Sequence, residues 1–115
     1  MFMVINIKGI EFKVKPLLSN KDIQRGMMRK KFDNSFDGML FFMSEGPHCF
    51  WMKNCIVPLD IIFIQDNTIT KIHHTCLPCK KSPCDNYCGT GNLILELEGG
   101  LCYRLGIQEG DEIIF

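Results

Sequence analysis

Alternating apolar and polar positions open the chain. Residues 4–7 and 10–14 each alternate in this way, and Lys8-Gly9 separates them. Two extended runs joined by a two-residue turn that contains glycine are typical of a β-hairpin. The sequence therefore predicts two paired strands near the beginning of the chain.

The next segment carries the signals of a short helix. Ser19 is followed three positions later by Asp22, and Gly26 offers a stop. A serine at a helix N-cap accepts a hydrogen bond from the first turn, and glycine tolerates the left-handed conformation in which many helices end. We therefore expect a helix within residues 20–28, although it is too short to be stable by itself.

Short apolar runs fill the rest of the chain, and clusters of Asn, Asp, Gly, Pro and Ser separate them. Such runs predict strands at residues 39–43, 49–54, 59–64, 68–74, 93–97 and 111–115, one helical turn at 101–105 and a loop at 75–91. Asp66-Asn67 is expected to close a second hairpin, between the strands at 59–64 and 68–74. No crossover helix fits between the strands of residues 39–74, so parallel winding is excluded there.

Seven or eight short strands joined by brief turns favour a mostly β fold, namely a compact antiparallel β-sandwich or barrel with one or two short helices. A chain of 115 residues, of which 46% are hydrophobic, is expected to form a single domain over residues 1–115. One apolar core of this size is enough for folding, so neither a metal nor a disulfide is required.

Charge and hydropathy limit the class of partner. Thirteen basic residues balance thirteen acidic ones. This balance removes the attraction that draws proteins to nucleic acids or anionic membranes. No apolar run approaches the roughly 18 residues of a spanning helix, and residues 1–15 do not form an apolar signal segment. We therefore expect a soluble, cytoplasmic protein whose partners include neither nucleic acid nor a membrane.

Residues 50–63 contain the strongest candidate for a binding site. Lys53 and Asp60 are the only charged residues in this mostly apolar segment. An ionic group among apolar residues must reach water, pair with an opposite charge or shift its pKa. In one interpretation, Lys53 points to solvent and Asp60 caps the bend after a proline. In the other, both charges converge with Asn54 beside Trp51, at the rim of an apolar concavity.

Several short motifs occur in order along the chain. They are Gly-Met-Met-Arg at residues 26–29, Gly-Met-Leu-Phe at 38–41, Phe-Trp-Met-Lys-Asn at 50–54, Pro-Leu-Asp-Ile-Ile-Phe at 58–63, Leu-Glu-Leu at 95–97, Gly100, Gly106-Ile107 and Gly110-Asp111. In these motifs the chain resembles, over residues 1–115, the uncharacterised family called domain of unknown function 192. The resemblance implies a jelly-roll-like β-sandwich and no established reaction.

The resemblance also indicates which polar residues belong to the family pattern, namely Arg29, Lys53, Asn54, Asp60, Glu96 and Asp111. Asp111 follows a glycine at a turn, where aspartate commonly bonds its own backbone. Glu96 lies between two leucines and is expected on the half-exposed side of its strand. Arg29 can clamp either Asp60 or an anionic ligand through its planar guanidinium, and both interpretations stay open.

A cysteine-rich loop is the second candidate site. It contains Cys76, Cys79, Cys84 and Cys88. This spacing is close to that of a zinc knuckle, in which four thiolates bind Zn²⁺ tetrahedrally. The alternatives are one or two disulfides, or reduced thiols without an ion; a reducing compartment favours free thiols or metal. For exported relatives, the resemblance allows a disulfide near Cys79 and Cys84. The other three cysteines are expected to be small core residues, at Cys49, Cys55 and Cys102.

The sequence thus predicts a module that binds a small polar ligand or a protein partner. The predicted binding residues are Arg29, Trp51, Lys53, Asn54 and Asp60. One alternative is a hydrolase in which Asp60 acts as general base, with Arg29 and Lys53 stabilising negative charge. A second is an interaction module whose shape depends on zinc at the four loop cysteines. Zinc in that case is the only cofactor that the sequence suggests.

Overall fold

Nine strands and two short helices make up the fold, and the computed structural model describes residues 1–115. In chain order they are β1 (Met3–Ile7), β2 (Ile10–Leu17), α1 (Asn20–Arg25), β3 (Gly38–Phe42), β4 (Pro47–Trp51), β5 (Leu59–Gln65), β6 (Thr68–Cys76), β7 (Asn86–Thr90), β8 (Leu93–Glu98), α2 (Leu101–Leu105) and β9 (Ile113–Ile114). The predicted mostly β fold with short helices is confirmed. Neither helix is long and apolar enough to cross a membrane.

Seven strands form one curled sheet in the order β6-β5-β8-β3-β2-β1-β9, and β4 pairs with β7 in a separate two-stranded sheet. The neighbouring strands are antiparallel except β2 and β3. Residues 18–37, which include α1, connect that parallel pair and provide the long crossover that parallel strands need. This pair is the exception to the antiparallel arrangement expected from the sequence.

Positive backbone φ angles form both predicted hairpin turns. Lys8-Gly9 connects β1 to β2 with φ of 55° and 80°, and Asp66-Asn67 connects β5 to β6 with φ of 51° and 61°. Two consecutive residues of this kind give a turn whose twist matches that of the paired strands. The short helix is also confirmed, because the Ser19 hydroxyl accepts a hydrogen bond from the Asp22 backbone N–H at 3.1 Å.

Both faces of the central sheet are buried. Along β8, Leu93, Leu95 and Leu97 belong to a core that also contains residues of β1, β2 and α2, whereas Ile94 belongs to a second core on the opposite face. Side chains of β4 and β7 pack against this second core. A polar residue placed in β5 or β8 is therefore forced into the interior, whichever face it points to.

The carboxylate of Asp60 joins three segments of the chain. Its Oδ1 accepts hydrogen bonds from the backbone N–H groups of Thr75 at 2.8 Å and Gly100 at 3.0 Å, and its Oδ2 accepts one from Cys102 at 2.9 Å. Gly100 and Cys102 lie at the beginning of α2, where backbone N–H groups have no partner within the helix. Asp60 is fully buried, so its negative charge caps α2 inside the protein.

Four cysteines form two disulfides. Cys49 bonds to Cys88 across the β4–β7 pair, and Cys79 bonds to Cys84 within one loop. The expectation that Cys49 is a core residue is wrong, because Cys49 is exposed as well as bonded. The remaining three thiols are free and buried, at Cys55, Cys76 and Cys102.

The predicted zinc site is not formed. Of its four cysteines, Cys79, Cys84 and Cys88 have their sulfurs in disulfides, and Cys76 is a buried thiol. No group of three or more His, Cys, Asp or Glu side chains is arranged to hold a metal ion. Disulfides are typical of oxidising compartments and of hyperthermophile proteins, so these two do not support the expected reducing, cytoplasmic location.

Replacing Asp60 by alanine should lower the free energy of unfolding by about 3 kcal/mol or more. The reason is that three N–H groups lose their acceptor, at roughly 1–3 kcal/mol for each buried donor. Urea denaturation followed by circular dichroism measures the change. Asp85→Ala is the control, since Asp85 is exposed and should change the stability by less than about 0.5 kcal/mol. Similar losses in both variants would contradict the capping role.

The two disulfides should differ in their effect on stability because they close loops of different length. Their cysteines are separated by 39 residues for Cys49–Cys88 and by 5 for Cys79–Cys84. Chain entropy then predicts a loss of about 4 kcal/mol for Cys49→Ser with Cys88→Ser, against about 2 kcal/mol for the other pair. Guanidinium denaturation of both double variants measures this difference, and a larger loss for the shorter loop would refute it.

Candidate functional site

An open pocket lies among α1, β3, β4 and β8, and we call it the Glu96 pocket. Its volume is about 430 Å³. Small-molecule sites commonly have volumes of about 300–1,000 Å³. Most of the wall is apolar or aromatic, and the residues that line it are Ile23, Gln24, Arg25, Gly26, Met27, Met28, Phe41, Met43, His48, Cys49, Phe50, Trp51, Cys55 and Glu96.

The end of α1 forms one wall of the Glu96 pocket. Gly26 follows this helix with a φ of 44° and lies directly against the ring of Phe41. A Cβ atom at Gly26 would approach that ring to 3.1 Å, so the close approach favours glycine. The turn then directs Met27 into the second core, where it is almost completely buried.

The two-stranded sheet forms the other wall. The ring of Phe50 in β4 packs edge-on against Phe41 and Phe63, with ring centroids 5.1 and 6.0 Å apart. In β7, a Cβ atom at Gly89 would lie 2.5 Å from the Phe63 ring, so this strand rests directly on the central sheet. The Cys49–Cys88 disulfide joins the two strands covalently, so it holds β4 and β7 together in this wall.

Glu96 has its side chain at the edge of this pocket, although only 4% of the residue is exposed. Its carboxyl group takes part in none of the side-chain hydrogen bonds or ion pairs of the protein. Burial raises the pKa of Glu96 from 4.5 to about 8, and no other cause contributes to this shift. The carboxyl is therefore mostly protonated at neutral pH, when it can both donate and accept a hydrogen bond.

The groups around Glu96 give it no counter-charge. Burial and the negative charge of Glu96 raise the pKa of Cys55 to about 11, and burial with the charges of Asp60 and Glu96 raises that of Cys76 to about 12. Both thiols stay protonated and are poor nucleophiles. Arg25 is exposed, and the Nε2 of His48 lies 2.6 Å from the carbonyl oxygen of Ser44.

Four of the five predicted binding residues lie in one surface region beside the pocket. Trp51 lines the mouth and is 45% exposed, and the Lys53 Nζ lies 5.2 Å from the centre of its ring in a cation–π contact. Asn54 follows Lys53, and its carbonyl oxygen accepts a hydrogen bond from the Arg29 backbone N–H at 2.8 Å. The pocket itself, however, contains only Trp51 of these residues.

The structure does not bring Asp60 to this surface. Asp60 bonds to α2 on one face of the central sheet, whereas Trp51 and β4 cover the opposite face. An ion pair between Arg29 and Asp60, one of the two interpretations of Arg29, is not formed. The hydrolase alternative also loses its general base, because the Asp60 carboxylate is buried and already accepts three backbone hydrogen bonds.

Sequence reasoning missed the importance of Glu96. The residue was expected on the half-exposed side of its strand, but β4, β7 and α1 cover that side, and Glu96 is buried. One signal was available: Glu96 interrupts an apolar run at Leu93–Glu98, and such runs are typical of strands buried on both faces.

Comparisons with known proteins place this chain among uncharacterised relatives. The family model for domain of unknown function 192, described as uncharacterized ACR, matches residues 3–115. A crystal structure from Sinorhizobium meliloti, described as a candidate transcription regulator, has a TM-score of 0.88 and 26% identity, and the match covers 98% of this chain and 92% of that one. A crystal structure of a protein of unknown function from Novosphingobium aromaticivorans has a TM-score of 0.85 and 27% identity, and the match covers 99% of this chain and 85% of that one. No curated protein matches the chain.

Glu96 should make the protein less stable as the pH rises from about 4.5 to about 8. The folded protein keeps the Glu96 proton up to a pH of about 8, whereas the unfolded chain releases it near the ordinary pKa of 4.5. The unfolded state therefore binds fewer protons in this window, so the free energy of unfolding falls by a few kcal/mol. Urea denaturation at several pH values measures this slope.

Glu96→Gln should remove this slope because glutamine has no proton to lose in the window. Glu98→Gln is the matched control, since Glu98 is exposed at the end of the same strand and its replacement should leave the slope intact. A wild-type stability that stays constant between about pH 5 and about pH 8 would contradict the raised pKa of Glu96.

Proposed function

We infer that this chain, which belongs to the family called domain of unknown function 192, is a ligand-binding module whose site is the Glu96 pocket. The ligand that fits this pocket is a small, mostly apolar molecule with one polar group. The observation that carries the proposal is the carboxyl group of Glu96, which is buried, unpaired and turned toward an open pocket.

A buried polar group without a partner is unusual in proteins. More than about 90% of such groups are hydrogen-bonded within the protein or to ordered water. Glu96 has no partner within the protein, so a ligand in the pocket can provide one. Strongly shifted pKa values in clefts are also typical of functional sites.

The walls of the pocket determine the rest of the ligand. Nine of the fourteen lining residues are hydrophobic, and most of these nine are methionine or aromatic residues. Methionine adapts its shape to irregular apolar surfaces. The sequence predicted a small polar ligand, but these walls favour a ligand with an apolar body.

The surface outside the mouth supports a second contact area. Trp51 presents its ring there beside Lys53, and the backbone hydrogen bond between Arg29 and Asn54 places two further polar residues nearby. A longer ligand would reach these residues with its polar end. The proposal also includes a protein partner that binds at this surface.

Binding of 3-phenylpropan-1-ol tests the pocket, because this probe has an apolar body and one hydroxyl group. Three of the seven methionines line the pocket, namely Met27, Met28 and Met43. Their methyl signals in a methionine-labelled NMR spectrum should shift during the titration, because the phenyl ring of the probe lies beside them. The methyl signal of the exposed Met1 should stay in place.

Met43→Trp should lower the affinity for this probe about tenfold or more, because the larger ring occupies part of the pocket. The matched control is Met1→Trp, which makes the same substitution at a residue that is 94% exposed. Equal affinities of the two variants, or shifts confined to methionines outside the pocket, would refute the proposed site.

A further inference from the structure

We propose, on the basis of the proposed ligand-binding role, that the polar group of the ligand is a cationic amine that forms an ion pair with Glu96. The ligand class is then an organic ammonium ion with an apolar, preferably aromatic, body. Three observations support this inference: the groups that surround the Glu96 carboxyl, the aromatic residues that line the pocket, and the positions of the cationic side chains of the protein.

The chain itself supplies no cation to Glu96. The two ion pairs of the protein are Lys8–Asp111 and Arg104–Glu98, and neither involves this carboxyl. The neighbours of the carboxyl are the buried thiols of Cys55 and Cys76, which stay neutral. A negative charge on Glu96 therefore finds its counter-charge only in a ligand.

The pocket walls favour a cation over a neutral group of the same size. Phe41 and Phe50 line the pocket, and aromatic rings attract a cation through their electron-rich faces. A charge-assisted hydrogen bond to a carboxylate is also about twice as strong as a bond between neutral groups. An alcohol would gain only the weaker hydrogen bond between neutral groups, without the attraction of a cation to the rings.

An anionic ligand group fits the position beside Glu96 less well. It would lie against a carboxyl group that repels it whenever Glu96 is ionised. Arg25 lines the pocket with its side chain exposed to solvent, so an anion would pair with Arg25 rather than bind beside Glu96.

Binding of an amine requires Glu96 to release its proton, which makes the affinity depend on pH. The ionisable groups on this face of the sheet are Arg25 at the end of α1, His48 in β4, Cys55 after β4, His73 and Cys76 in β6, and Tyr87 in β7. Strands β3 and β5 present no ionisable side chain on this face, because Asp60 points to the other. Below the Glu96 pKa of about 8, affinity should rise about tenfold per pH unit.

Three probes with one carbon skeleton test this inference: 3-phenylpropylamine, 3-phenylpropan-1-ol and 3-phenylpropanoate. Calorimetric titration of each at about pH 6 and about pH 8 gives the affinities. At the higher pH, the amine should bind about tenfold more tightly than the alcohol, and the propanoate should bind most weakly. Over these two pH units the affinity for the amine should rise about 50-fold, because about half of Glu96 is ionised at the higher pH, while the affinity for the alcohol stays constant.

Two variants identify the group that titrates. Glu96→Gln should bind the amine and the alcohol with similar affinity, and the binding of the amine should no longer depend on pH. Glu98→Gln should keep the dependence, because Glu98 is exposed at the end of β8 and does not line the pocket. Circular dichroism checks that both variants fold, and the probe series on the wild-type protein tests the inference without any variant.

The outcomes separate the amine inference from the pocket itself. If the alcohol or the propanoate binds the wild-type protein at least as tightly as the amine at about pH 8, the ligand is not an amine, although the pocket still binds ligands. The same conclusion follows if Glu96→Gln, correctly folded, keeps the full affinity for the amine. If none of the three probes shifts the methyl signals of the pocket methionines, the proposed function and the amine inference both fail.

Discussion

Three backbone hydrogen bonds to Asp60 determine how one side of this molecule is closed. They tie the first turn of α2 and the end of β6 to β5, in the interior of the protein. Because N–H groups at a helix N-terminus have no partner within the helix, a buried carboxylate is a suitable acceptor for them. Asp60 is thus used entirely by the fold, and the central sheet can be covered on that face without leaving a charge unpaired.

Glu96 is also a buried carboxyl group, but the fold gives it no hydrogen-bond partner. It lies one strand away from Asp60, on the other face of the same sheet, and is nearly as well buried. No backbone N–H reaches it, so burial raises its pKa and leaves it protonated at neutral pH. The arrangement of β4, β7 and α1 keeps a pocket open in front of it. The fold therefore treats two carboxyl groups of similar burial differently: it gives Asp60 three hydrogen-bond donors and leaves Glu96 without a partner in the protein.

A structural feature was predicted well from the sequence when its physical cause lies in neighbouring residues, and poorly when its cause lies far away along the chain. The Lys8-Gly9 turn and the Ser19 cap depend on neighbouring residues, and both were predicted. The sequence predicts a loop where β7 lies, because the stability of β7 comes from pairing with β4 and from the Cys49–Cys88 disulfide, whose cysteines lie 39 residues apart. The predicted grouping of Asp60 with Lys53 failed for a related reason, since proximity in sequence does not place two residues on the same face of a sheet.

The sequence alone determined the strand-rich fold, the two hairpin turns, the short helix and the likeness to an uncharacterised family, because these depend on periodicity and on turn residues. It also predicted Trp51 as a binding residue, and Trp51 lines the pocket. Only the tertiary structure decided which carboxyl group is satisfied and which is left unpaired. That difference depends on which backbone donors and covering strands reach each side of the sheet, and these come from distant parts of the chain.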